Sequence, residues 1–488
     1  MGKSIGDRTF RWVSAGAGIV VIVLSILAVL YPDDLRGVDT NVIHTLQRLL
    51  VDNGNLYLDP ERPPFSITQY GPLYYITGDV LLSLLGFDPS SVYGLLVVMR
   101  VLSSGMFVFG LDQFRRLLRH DLGCSRKTAG LLCGLVVVYT YPWYFMARPD
   151  VLVFVFLLLF LRVFLRETLT TGRSSALLAL VVCAGCLSKQ NFVVFGCLAG
   201  LYFIRRAAYR QMALYVATGI TATLLFLGVA WGCGYSMTFL WENVVDGVDN
   251  GIDVKSTVER IYFAVVAYHG PLIGITVLLG IRLGSDRLGS RGRKLIFLMV
   301  GTLIFSLITG LKHGSAINYL NEFVVILLVG LGYLLSLIER NLRRTFQWIL
   351  LLLGVQMLAF AGYRYGPRIA AHTLSLVHGA PLSIDVDRRR LVHYLVDQRP
   401  FDHVYVADNM VALSFPGEII LFQEDIHRLT YRRGVYDYHH LYEMIQHHEL
   451  DYLVLEHEET EFFGIDVAEY FERDRQFGLF TIYKKRVN

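Results

Sequence analysis

Long apolar runs alternate with short polar stretches from Trp12 to Gly362. Trp12–Leu30, Val92–Phe114, Ala213–Trp231, Ile261–Ile281, Leu295–Leu311, Leu320–Ile338 and Phe346–Gly362 predict transmembrane helices. Leu131–Phe145, Val151–Leu165, Ala176–Ser188 and Phe192–Ile204 are nearer about 15 residues than the roughly 20 of a standard span. About eleven spans result. The first outer loop, residues 32–73, interrupts the pattern early. Within it, Thr40–Val51 carries Val42, Ile43, Leu46, Leu49 and Leu50 at helical spacing, which predicts a helix lying on the membrane surface. Pro72–Phe87 is marginal in length for a span and reads as a second interfacial or re-entrant helix.

From about His372 the pattern changes. Short apolar runs at Val404–Ala407, Ile419–Phe422, Tyr452–Leu455 and Phe480–Lys484 predict strands. Asp387–Asp397, Tyr438–His448 and Val467–Gln476 predict helices. Alternation of the two implies a small α/β domain. The division is therefore 1–371, a transmembrane domain, and 372–488, an extracytoplasmic α/β domain.

Composition agrees with a polytopic membrane protein. The 488 residues are 54% hydrophobic and only 18% charged, with a mean hydropathy of +0.47, against roughly a quarter charged in a soluble domain. The net charge of +4 matters less than its placement. Basic residues collect before Trp12, in Arg115–Lys127, at Arg166 and Arg173, at Arg205, Arg206 and Arg210, in Arg282–Lys294, and at Arg340, Arg343 and Arg344. The positive-inside rule puts all of these, and the N-terminus, in the cytoplasm, and the C-terminal domain outside. No feature calls for nucleic acid. The six cysteines are scattered; Cys183 and Cys186, though spaced like a redox pair, lie in an apolar run and read as small residues at helix contacts. Ten of the fourteen histidines fall in the C-terminal domain, but no carboxylate or cysteine set completes a familiar metal site, so no metal is expected to be required; a divalent ion remains conceivable.

The ionisable residues that break the apolar pattern share one membrane face. Asp33, Asp34, Asp39, Arg148, Asp150, Lys189, Lys312, His313 and Glu322 all fall at or beyond outer ends of spans. Charges at such depth are costly and are usually paired or functional. A polar cavity open to the outside suits an amphiphile whose phosphate sits at the outer leaflet. A cation such as Lys189 or Arg148 would hold that phosphate, and a carboxylate such as Asp39 would take a proton from an attacking hydroxyl. A transporter or lipid flippase, the main alternative, would show internal repeats and charge at the midplane; the halves show no such repeat. A non-catalytic scaffold leaves the acidic first loop unexplained.

In order along the chain stand Asp39 after the first span, Gly54–Tyr57, Tyr70–Leu73, Arg148-Pro149-Asp150 leading a span, Lys189-Gln190 closing another, and Gly314–Tyr319 opening a late one. With this order the chain resembles the GT-C superfamily of polyprenyl-phosphate-sugar-dependent glycosyltransferases, in the branch of protein O-mannosyltransferases and lipid A aminoarabinose transferases. The resemblance implies a GT-C-like helical membrane fold and inverting transfer of a sugar from a lipid-linked donor to an extracytoplasmic glycan, lipid or protein, in a cell membrane such as the prokaryotic inner membrane. It maps the base onto Asp39, with Asp34 as rival, and Asp150 onto a second acidic position. It places donor phosphate on Lys189, Arg148, His313 and Lys312, and sugar or acceptor contacts on Gln190, Asn318, Glu322, Tyr57 and Tyr70. Arg100, inside the second span, is implied to be structural. The family's usual Asp-Glu pair is absent: Thr40 follows Asp39.

Overall fold

The structure, a computed structural model, describes residues 5–31, 33, 39–52, 55–166, 171–249, 251–313, 317–378, 383–397, 403–415, 418–422, 424–456 and 461–486. The chain forms two compact units. Met1–Leu30, Arg100–Phe226 and Ile252–Pro367 make the first; Tyr31–Met99, Leu227–Gly251 and Arg368–Asn488 make the second.

Six helices among the described residues are long and apolar enough to cross a membrane: Trp12–Leu30, Val92–Asp121, Tyr209–Gly232, Asp286–Gly310, Asn318–Leu337 and Arg340–Pro367. Of these, Asn318–Leu337 is 78% buried and forms the centre of the first unit, whereas Trp12–Leu30 is only 6% buried. Exposed Trp12, Ile19, Ile22 and Ile26 on the latter are what a helix shows when lipid is its solvent. The four short runs form helices below the length of a standard span. Arg126–Thr140, Asp150–Phe164, Gly172–Ser188 and Val193–Arg205 are shorter, as their apolar runs were. Each is bounded by chemistry that stops or starts a helix. Ser125 and Thr171 cap two of them by accepting from Thr128 N and Ser174 N. Pro142 and Pro149 punctuate the segment between the first two. The run Gly270–Gly310 is broken at Gly284 and Gly289, whose φ values of 69° and 57° favour glycine.

In the second unit the surface-helix expectation is corrected. The helix Asp39–Asp52 exists, but Val42, Ile43 and Leu46 are fully buried in protein, so its apolar face is not presented to lipid. The helix Pro72–Leu84 packs on it, and Gly78 allows that approach: a Cβ there would meet Met99 at 2.7 Å and Leu46 at 3.2 Å.

The C-terminal segment supplies strands β1 (His403–Val406), β2 (Glu418–Ile419), β3 (Tyr452–Glu456), β4 (Glu461–Phe462), β5 (Ile465–Asp466), β6 (Phe471–Phe477) and β7 (Phe480–Lys485). The main sheet runs β2-β1-β3-β7-β6, with β2, β1 and β3 parallel and β7 and β6 antiparallel. The predicted helix Val467–Gln476 is helical only through Tyr470; the rest is β6. Among the described residues that strand pairs only with β7, and it exposes Glu472 through Arg475, so it lacks the apolar alternation that marks a half-buried strand. The helices Asn409–Ser414 and Glu424–Arg433 were not foreseen.

The first outer loop joins this sheet. Phe65 N donates to Ile420 O at 2.7 Å and Phe422 N donates to Phe65 O at 3.0 Å, a parallel bridge beside β2. Phe65 and Ile67 then lie in one apolar core with Tyr405, Leu453, Leu455 and Tyr438.

Candidate functional site

In the first unit the chain brings four of the predicted residues together. Asp150 opens the helix Asp150–Phe164, where the helix dipole favours a carboxylate. Lys189 closes the helix Gly172–Ser188 in an extended conformation, and a 3-10 turn, Gln190–Phe192, starts the next helix. Gly185 makes that tight reversal feasible, since a Cβ there would lie 2.2 Å from the Phe192 ring. Asn318 comes from the 3-10 turn Ile317–Leu320 that leads into Asn321–Leu337.

Lys189 Nζ donates to Asp150 Oδ1 at 2.9 Å, and Asn318 Nδ2 donates to the same oxygen at 3.4 Å. Arg148 Nε lies 3.3 Å from Asp150 Oδ2. All three charged side chains are buried, Asp150 most completely. Aromatic rings flank the cations: Arg148 sits 5.3 Å from the Trp143 ring centre and Lys189 5.8 Å from that of Tyr319. Two cations and one carboxylate are thus in direct contact. Glu322, in the first turn of Asn321–Leu337, is within electrostatic reach of both Lys189 and Asp150. With Asn191, Thr302, Ser306, Thr309 and Tyr319 it lines a small cavity. Gln190 is half-buried next to Lys189.

His313 is half-exposed, with Nδ1 3.5 Å from Asp253 Oδ2, and the Lys312 backbone bridges that of Ile252. Residues 314–316 of the late motif lie outside the described residues. Arg100 is fully buried and its Nη1 donates to Ala28 O at 3.4 Å, at the end of the first span.

The remaining candidates belong to the second unit. Asp39 is fully buried in the first turn of Asp39–Asp52. Asp34 lies outside the described residues, as does Gly54. Tyr57 is buried and donates to Tyr70 O at 3.0 Å, tying the middle of the loop to its C-terminal part; burial pushes its phenol above the usual range. His44 stacks on Phe422 with ring centres 4.0 Å apart, and burial with the Arg48 charge pulls its pKa down to about 3.

Two residues that hold this loop were not singled out from the sequence. Asn243, fully buried, accepts from Thr68 N at 2.6 Å and donates to Leu58 O at 2.7 Å. Arg388 donates to Asp33 Oδ2 at 2.8 Å and, through Nε and Nη2, to Asp408 Oδ2 at 2.9 and 2.8 Å. Burial alone would lower the Arg388 pKa, but the carboxylates of Asp408 and Asp33 raise it. Asp33, part of the acidic pair near the loop's start, is thereby a tether to the C-terminal segment.

Among the described residues no group of three or more His, Cys, Asp or Glu side chains is arranged to hold a metal ion.

Two crystal structures of ArnT from Cupriavidus metallidurans align over 96% of this chain and 98% of theirs. One, bound to undecaprenyl phosphate, gives a TM-score of 0.60 at 11% identity; the other, in the apo state, gives 0.61 at 12%. The chain has the ArnT fold. The helical membrane fold expected from the order of motifs is therefore the fold this chain shares with those structures. No family model matches the sequence, and no curated protein matches it. At such identity the likeness speaks for the path of the chain, and any chemistry has to be argued from the residues this chain places along it.

Proposed function

We propose that this chain is a multi-pass membrane glycosyltransferase that moves a sugar from a polyprenyl-phosphate donor to an extracytoplasmic glycan, lipid or protein. The reading rests on one observation above all: a buried carboxylate held between two cations at helix ends, Arg148–Asp150–Lys189, with Asn318 on the same oxygen. The fold shared with ArnT, one structure of which is bound to undecaprenyl phosphate, supports it.

In this mechanism the acceptor hydroxyl attacks the anomeric carbon as the carbon–oxygen bond to phosphate breaks. The hydroxyl proton passes to Asp39, and the configuration inverts. The donor phosphodiester carries one negative charge and the departing phosphomonoester gains a second. Lys189 and Arg148 stabilise that developing charge, which is where fixed cations lower a barrier. Asp150 keeps both cations oriented and charged between turnovers. Lys312 and His313 extend the phosphate site; Gln190, Asn318, Glu322, Tyr57 and Tyr70 contact sugar or acceptor; Asp34 stands as the rival base. No metal is needed for any of these steps. Residues 1–371 carry the reaction and residues 372–488 stand outside the membrane, with the N-terminus in the cytoplasm of a prokaryotic cell.

The test is release of free polyprenyl phosphate by the purified protein given a polyprenyl-phosphate sugar and acceptor. Asp39→Asn should lower that release by about 10²–10⁴-fold while thermal unfolding is unchanged. Full activity in the variant removes Asp39 as the base. Movement of donor lipid between leaflets with no phosphate set free identifies a flippase instead.

A further inference from the structure

A furrow in the first unit lies apart from this chemistry. It runs between the helix Ile5–Leu30, the helix Arg126–Thr140 and the helix Arg340–His378, and encloses about 330 Å³. Its walls are apolar except at one end, where Arg126 and Lys127 line it. A narrower apolar cleft between the same helices continues it toward Tyr141, sharing Val21, Val138 and Leu358. The reacting cluster follows the far end of the middle helix, since Arg148 and Asp150 come after Thr140. Arg126 and Lys127 open that helix, about 20 Å away along its axis.

Glycines make the furrow. In membrane bundles small residues usually let helix backbones approach closely. Gly18, Gly130 and Gly134 do not serve that purpose: a Cβ at any of them would meet nothing within 4 Å. They line the furrow, so their missing side chains keep it open. The hydroxyl of Ser14, buried and without a hydrogen-bond partner among the described residues, is on the same wall. The span from Arg126 to Val138 rises about 18 Å, close to one leaflet's half of a hydrocarbon core roughly 30 Å thick. Phe10, at the mouth, meets Trp348 edge-on at 5.1 Å, an aromatic pair of the kind found at headgroup level.

We infer that this furrow binds an acidic bilayer phospholipid from the cytoplasmic leaflet. One acyl chain lies along Gly130 and Gly134, and the headgroup phosphate sits on Arg126 and Lys127. Apolar walls alone would take any lipid; the paired cations at the headgroup end select an anionic one. The site is separate from the proposed donor site and does not depend on the transfer reaction.

Native mass spectrometry of the full chain, purified and exposed to equimolar phosphatidylglycerol and phosphatidylcholine of identical chains, tests it. Retained adducts should be mainly phosphatidylglycerol. Arg126→Glu with Lys127→Glu should lower its retention about tenfold or more without raising that of phosphatidylcholine. Gly130→Leu with Gly134→Leu should abolish retention by filling the furrow while thermal unfolding stays at the parent value. Equal retention of the two lipids, unchanged phosphatidylglycerol binding in the charge-reversed variant, or its displacement by equimolar polyprenyl phosphate would each overturn the inference. If the leucine variant unfolds early, the charge-reversed variant decides alone.

Discussion

Arg148 and Lys189 share one carboxylate, Asp150, whereas Arg388 is itself shared by two, Asp33 and Asp408. The two clusters have opposite balances of charge in contact. In the second, a planar guanidinium reaches both acids through three short hydrogen bonds, a geometry that fixes chain segments rather than inviting a ligand. In the first, the cations arrive from two different chain segments onto one buried acid, with the Glu322 carboxyl in electrostatic reach. Ion pairing alone therefore does not mark a site. Depth of burial separates the two clusters: Asp150 is about 1% exposed, whereas Asp33 is about a quarter exposed.

The largest break in this comparison should come at Asp150. Asp150→Ala leaves two buried cations without their shared partner, and should cost about 3–5 kcal/mol, seen as early thermal unfolding in detergent. Added undecaprenyl phosphate should recover part of that loss if the cations accept the lipid's phosphate. At the second cluster, Arg388→Met should cost less, about 1–3 kcal/mol, because Asp33 is about a quarter exposed and water can take over part of its solvation. Arg388→Lys should recover only part, since an ammonium cannot fork between the two acids.

A third effect is a pH dependence carried by a histidine of the second unit. His427 is fully buried, its Nδ1 lies 2.8 Å from Tyr438 Oη, and burial lowers its pKa to about 3. Its folded form stays neutral where the unfolded chain takes up a proton. The contribution is therefore constant above about pH 6.5, and stability falls by about 1.4 kcal/mol per pH unit below it, down to about pH 3. The difference in unfolding free energy between the parent and His427→Gln, measured at pH 7, 6 and 5, should show that slope; a flat difference contradicts it.

The membrane scaffold was legible because apolar runs declare themselves one segment at a time. Asp150, Lys189, Arg148 and Asn318 were legible as candidates for the same reason: each interrupts or borders such a run, where a charge or amide is conspicuous. The Arg388 cluster was not. It pairs residues 355 positions apart, and Arg388 stands with Arg389 and Arg390 in a stretch that reads as ordinary solvated surface. Asn243 was hidden similarly, as one polar residue in a polar loop. The helix Asp39–Asp52 was placed correctly, but its environment was misread. Amphipathic spacing states that one face is apolar and is silent on whether lipid or protein covers it. The strand β6 was lost because its partner lies on one side only and its exposed charges erase the period of two.

The bridge between Phe65 and the segment following β2 bears on how such a protein could be recombined. A chimera that exchanged only residues 403–486 would leave the Phe65 amide and carbonyl facing an unmatched edge, and would strip Ile67 of its neighbours. The portable piece is discontinuous: residues 56–68 would have to travel with the sheet they complete.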